Sequence, residues 1–216
     1  MKRILSAITA LMAFITMSAD ESSIQQEFGY KSFSLATNTI AYREALICHD
    51  GQTAPLLILY LHGGTSRGDD NESQLNEKAV TDIFYYLTEH NIAATMVVPQ
   101  CPSGGGWTNQ LRKVVNELLR TYVTSGAVDE SRVYVTGGSM GGTGTWCQLS
   151  YFPYFYAAAM PVAGNPTNLS ADNISKTPVY TVMGTDDTIM DVSPVEELRQ
   201  QVTQNNGTMI MDVEEG

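Results

Sequence analysis

The sequence predicts one α/β domain built on a mainly parallel sheet with helices on both faces. Three observations point there. Several short runs are apolar throughout, stretches with apolar residues at helical spacing alternate with them, and no repeat, linker or low-complexity tract interrupts the alternation. A strand covered on both faces has no polar side to display, so a continuous apolar run is its signature. Strands of that kind alternating with amphipathic helices imply a parallel sheet with right-handed crossovers.

Leu56 to Leu61 is the first such run. Val80, Ile83, Phe84 and Leu87 then recur at helical spacing, and Ala93 to Val98 is extended again. Leu111, Val114, Val115, Leu118, Leu119 and Tyr122 make the strongest amphipathic stripe in the chain. Val133 to Val135 is a short strand, and a helix beginning in a glycine cluster runs from Met140 to Phe152, stopped by Pro153, which lacks an amide donor. Ala157 to Val162 and Val179 to Met183 are further strands. Ser193 as N-cap, Pro194 at the first position and Glu196 closing a capping box predict a helix with Val195, Leu198 and Val202 on its apolar face. Asn206 and Gly207 end it, and Met209 to Val213 is the last strand. His90 closes a helix, and His49 follows an expected edge strand.

Composition narrows the function. Of the 216 residues, 43% are apolar and 16% charged, the balance of a globular protein. Lys2 and Arg3 precede an apolar run from Ile4 to Met17 and the small pair Ser18 and Ala19, the layout of a signal peptide over residues 1–19 rather than of a membrane anchor, which needs about 20 apolar residues. The expectation is an exported domain over 20–216, periplasmic or secreted and free of the membrane after cleavage. It then carries 10 basic against 23 acidic residues, a charge of −13 that argues against nucleic acid as a partner. Cys48, Cys101 and Cys147 are odd in number, so at least one has no partner within the chain. They form no cluster with metal-ligand spacing.

In an open α/β sheet, chemistry sits outside the carboxyl ends of the strands. After Val133–Val135 comes Gly137-Gly138-Ser139-Met140-Gly141, a G-x-S-x-G pattern between an expected strand and an expected helix. It puts the Ser139 hydroxyl on a strained turn beside a helix N-terminus, as a nucleophile requires. After Leu56–Leu61 comes His62-Gly63-Gly64-Thr65, a loop able to present backbone amides. The amides of Gly64 and Met140 are assigned to an oxyanion hole, and His62 to bracing the loop. After Val179–Met183 come Asp186 and Asp187, either of which could orient a histidine. The loop from Pro99 to Trp107 offers Trp107 either to a substrate pocket or to the core.

Leu61-His62-Gly63-Gly64 with Arg67-Gly68 and Asp70-Asn71, Pro99-Gln100-Cys101-Pro102 with Gly106-Trp107, and Arg132 to Gly137 with Ser139 to Gly142 and Gly144-Thr145-Trp146 together resemble the α/β-hydrolase superfamily. More narrowly, they are similar to peptidases and esterases related to feruloyl esterases and polyhydroxybutyrate depolymerases. The likeness runs from about Ala54 onward in four loops in order. It implies a Ser-Asp-His hydrolase that cleaves carboxylic esters through an acyl-enzyme on Ser139, with no metal or cofactor, acting on a small-molecule or polysaccharide-linked ester. Aligning the acid loop with the G-x-x-D pattern of these enzymes puts the acid at Asp187.

One feature departs from the family. All three histidines, His49, His62 and His90, precede Ser139, whereas in the family the base follows the acid. The expectation is therefore a C-terminally incomplete hydrolase domain, its closing loop and helix lacking, with the base beyond Gly216 and apolar sheet surface uncovered. Two rival readings stay open: a serine peptidase of the prolyl-oligopeptidase kind, with the same catalytic parts acting on an amide, and a non-catalytic binding protein on a hydrolase scaffold.

Overall fold

A computed structural model describes residues 21–215 apart from Gln52 and Asn109, and the expected signal segment lies outside them. Among the described residues, eight strands form one sheet in the order β1-β2-β4-β3-β5-β6-β7-β8. They are β1 (Gly29–Leu35), β2 (Asn38–Ile47), β3 (Leu56–Leu61), β4 (Ala94–Pro99), β5 (Val133–Gly138), β6 (Ala158–Val162), β7 (Val179–Gly184) and β8 (Met209–Glu214). From β4 to β8 in this order the neighbours are parallel, while β2 joins β4 antiparallel and β1 joins β2 as a hairpin. The helices are α1 (Glu21–Glu27), α2 (Lys78–Glu89), α3 (Leu111–Thr124), α4 (Met140–Tyr151), α5 (Ala171–Ile174) and α6 (Ser193–Gln204).

The apolar runs become strands because each is covered by helices whose stripes match it. Leu57, Leu59 and Leu61 of β3 and Val133 and Val135 of β5 pack with Val114, Val115, Leu118 and Leu119 of α3 and with Trp146 and Leu149 of α4. Val195, Leu198 and Val202 of α6 join the same core. On the other face Val80, Phe84 and Leu87 of α2, with Ile24 and Phe28, cover Met96 and Val98 of β4 and Tyr60 of β3. That second layer stops short. Among the described residues nothing covers this face beyond β3: Met160, 41% exposed, and Tyr180, 38%, line an apolar groove with Ile58, Ile83 and Tyr134, and Ile210 is 56% exposed.

Two local expectations are corrected. Strand β2, which precedes His49, is not at the edge: it is paired on both sides, and β1 takes the edge. Ser193 is the first residue of α6 and not its cap. Its amide and hydroxyl both donate to Asp191, and Glu196 turns forward to Arg199 instead of closing a capping box. Cys48, Cys101 and Cys147 are all free thiols, and burial raises the pKa of the last two.

Candidate active site

The carboxyl ends of β3, β5 and β7 carry three of the four loops singled out in the sequence, and the fourth follows β4. Strand β5 ends at Gly138 and α4 begins at Met140, so the whole reversal falls on Ser139, which has φ 55° and ψ −118°. Positive φ costs a residue with a Cβ of the order of 1 kcal/mol or more, so its neighbours must impose it. They do: the Ser139 amide donates to the Val162 carbonyl at 2.9 Å, and its carbonyl accepts from the Thr143 amide at 3.0 Å. The flanking glycines are needed for space. A Cβ on Gly137 would lie 2.3 Å from the Leu61 carbonyl oxygen, and one on Gly141 only 1.8 Å from it. Ser139 itself is exposed. As the first residue of α4, Met140 has an amide with no carbonyl one turn back to receive it.

The loop after β3 lies against this turn, with the space a Cβ would fill at Gly63 being 3.9 Å from Ser139 Cβ. His62 is fully buried and neutral. Its Nε2 accepts from the Cys101 amide at 2.9 Å, so its proton is on Nδ1, which donates to the Gly63 carbonyl at 2.6 Å. Desolvation pushes its pKa below the usual histidine value. With both nitrogens engaged, this imidazole braces the loop and has no lone pair to offer Ser139. The guanidinium of Arg67 stands beside Gly64 and Cys101.

Glu77 is a residue that sequence reasoning missed. Its Oε1 accepts from the Gly63 amide at 2.6 Å and from Ser66 Oγ at 2.9 Å, and its Oε2 accepts from the Tyr60 hydroxyl at 2.6 Å. The signal for it is weak, because an acid just ahead of a helix ordinarily serves the helix dipole. Desolvation, together with the carboxylate, drives the Tyr60 pKa far above the normal phenol value.

Asp187 sits on the loop after β7. Its Oδ1 accepts the amides of Ile189 at 2.8 Å and Met190 at 2.9 Å, and those bonds, Met190 first, hold its pKa below the ordinary carboxylate range. Asp186 is more exposed and takes one long bond, 3.3 Å, from the Thr185 hydroxyl. Strands β5 and β7 flank β6, so the Ser139 and Asp187 loops leave the sheet two strand spacings apart, about 10 Å.

Of the two places left open for Trp107, substrate pocket or core, the structure has it in the core. Trp107 is 1% exposed, its Nε1 donates to the His62 carbonyl at 2.9 Å, and its ring meets the His62 ring edge-on. The other two histidines stand apart. His49 Nε2 contacts the Ala94 carbonyl at the amino end of β4, and His90 caps α2 with Nδ1 on the Tyr86 carbonyl.

The dienelactone hydrolase family model matches residues 103–214, which include both Ser139 and Asp187. A bifunctional acetylxylan esterase/xylanase of Neocallimastix patriciarum is 25% identical over 141 residues, 65% of this chain and 20% of that protein. Among solved structures, a thermostable esterase superposes with TM-score 0.80 at 25% identity, covering 90% of this chain and 56% of its own. The feruloyl esterase module of Clostridium thermocellum superposes with TM-score 0.66 at 15% identity, covering 88% and 80%. The chain thus spans a fifth of the acetylxylan esterase/xylanase and just over half of the thermostable esterase.

Proposed function

From the premise that this chain belongs to the dienelactone hydrolase family, we propose that it supplies the nucleophile and acid of a serine esterase, Ser139 and Asp187. The observation that carries this reading is the backbone of Ser139: an exposed serine held at φ 55° between a buried strand and a helix N-terminus. A fold bears such strain where it serves a site, and here it lifts Oγ clear of the sheet. In the proposed reaction Oγ attacks the ester carbonyl, the amides of Met140 and Gly64 receive the developing oxyanion, and the alcohol leaves with a proton to give an acyl-enzyme that water hydrolyses.

Proton transfer requires an imidazole that Asp187 can orient. His49, His62 and His90 are all committed elsewhere, so the proposed base is a histidine from outside these 216 residues. The proposed substrate is a carboxylic ester, small or polysaccharide-linked, in keeping with relatives named for acetylxylan and feruloyl esters. The proposed setting is extracytoplasmic, and no helix among the described residues is long and apolar enough to cross a membrane.

In the complete protein, Ser139→Ala should abolish hydrolysis of p-nitrophenyl acetate and labelling by a fluorophosphonate, while the melting temperature stays within a few degrees. Turnover within tenfold of the parent would remove Ser139 from the mechanism. Acetate release from acetylated xylan, run against feruloyl esters, ranks the two substrate types.

A further inference from the structure

One carboxylate grips both ends of the turn that carries Gly64. The short 3-10 turn Gly64–Ser66 starts from Gly63, and the single oxygen Oε1 of Glu77 accepts from the Gly63 amide at one end and the Ser66 hydroxyl at the other. The second oxygen is tied to Tyr60, a buried residue of β3. The turn is therefore pinned through Glu77 to the strand from which it springs.

The peptide planes on either side of Gly63 are both fixed. Glu77 holds the N–H of the first, and Nδ1 of His62 holds the C=O of the second. In a trans peptide the N–H points opposite to the C=O, and every described peptide here is trans. Holding the Gly63 carbonyl against His62 thus directs the Gly64 amide the other way, and the Gly63 amide, spent on Glu77, does not compete with it.

We infer that Glu77 is a positioning residue of the oxyanion site, setting kcat through the Gly64 turn without touching substrate. The inference rests on the Ser139 esterase reading. It makes geometry, not charge, the property that matters. A glutamine keeps an oxygen where Oε1 lies and presents an amide to Tyr60, whose hydroxyl can turn to accept. An aspartate keeps the charge but is shorter by one bond, about 1.5 Å, and cannot reach Gly63 and Ser66 while holding Tyr60.

The test is p-nitrophenyl acetate hydrolysis by the complete protein, with kcat counted per fluorophosphonate-labelled site so that unfolded molecules do not contribute. Losing an oxyanion donor outright costs about 10²–10³ in kcat, and misplacing one should cost a part of that. The expected result is that Glu77→Asp lowers kcat about tenfold or more with KM little changed, Glu77→Gln stays within about threefold of the parent, and the rate of fluorophosphonate labelling follows the same order. Parent-like kcat in Glu77→Asp would overturn the inference, and so would a Glu77→Gln loss as large as that of Glu77→Asp. Ser139→Ala, measured alongside, separates the two levels. If it is inactive while Glu77→Asp is parent-like, only the inference about Glu77 falls; if it still turns over, the esterase reading beneath it falls too.

Discussion

Asp187 and Asp186 are adjacent carboxylates with the same chemistry, and only their hydrogen bonds separate them. With Oδ1 of Asp187 occupied by the Ile189 and Met190 amides, Oδ2 is the oxygen available to an imidazole. An asparagine at 187 must keep its carbonyl on those two amides, since an NH2 group cannot accept from them, and so turns its NH2 toward the histidine. That favours the wrong imidazole tautomer, a change that lowers kcat by about 10⁴ where it has been made in a serine triad. Asp187→Asn is therefore expected to cost several orders of magnitude in ester turnover, and Asp186→Asn, which loses one long contact with Thr185, less than threefold. Measured kcat values in the opposite order would move the acid to Asp186.

At the level of elements, the strands and helices from β3 to β8, apart from the single-turn α5, were legible within a residue or three at each end, because both their periods and their breaks are written in apolar side chains. The α1 segment and the β1–β2 hairpin were legible only as a strand before His49. Gly29–Leu35 is largely exposed and Asn38–Ile47 mixes polar and apolar residues, so neither gives a clean pattern. What holds them is Arg43, a fully buried cation that no periodicity announces. Its guanidinium donates to the carbonyls of Gln25, Phe28 and Asn71 and lies 3.6 Å from the Tyr30 ring centre. The site shows the same division. Ser139, Gly64 and Asp187 stand in short motifs, whereas Glu77 acts through contacts 11 to 17 residues away along the chain. Arg43→Met should leave the carbonyls of Gln25, Phe28 and Asn71 without these donors, the buried one of Phe28 alone costing about 1–3 kcal/mol. The expected outcome is a lower urea midpoint and early proteolysis between residues 21 and 37, with the elbow turn unaffected. An unchanged midpoint would show that α1 and the hairpin are held by their apolar contacts alone.

Across the whole molecule, two electrostatic effects oppose each other as pH falls. The chain has a formal charge of −11 and a pI near 4.5, so acidification from neutrality first relieves self-repulsion. That gain is modest at physiological salt, where charges more than about 8 Å apart are screened. Against it stand carboxylates whose pKa values hydrogen bonds hold down. Asp70 is bonded by Ser73, Glu72 and Gln100; Asp129, bonded by Ser131 and Arg132, is lowered to about 2; Asp187 and Asp191 are lowered by backbone amides. A carboxyl group with a depressed folded pKa contributes stability that is fully present above its unfolded value, about 3.9 for aspartate, and is lost as pH falls through the folded value. Unfolding free energy is therefore expected to be greatest near pH 5 and to fall between about pH 4 and pH 2, with Asp129→Asn making that fall shallower. Near the pI the net charge vanishes while Met160, Tyr180 and Ile210 remain exposed on the open sheet face, so association competes with the measurement there. Urea titrations at low micromolar protein, read by tryptophan fluorescence because Trp107 and Trp146 are both buried, separate the two. Stability that kept rising down to pH 2 would mean that charge repulsion, and not the hydrogen-bonded carboxylates, governs the acid limb.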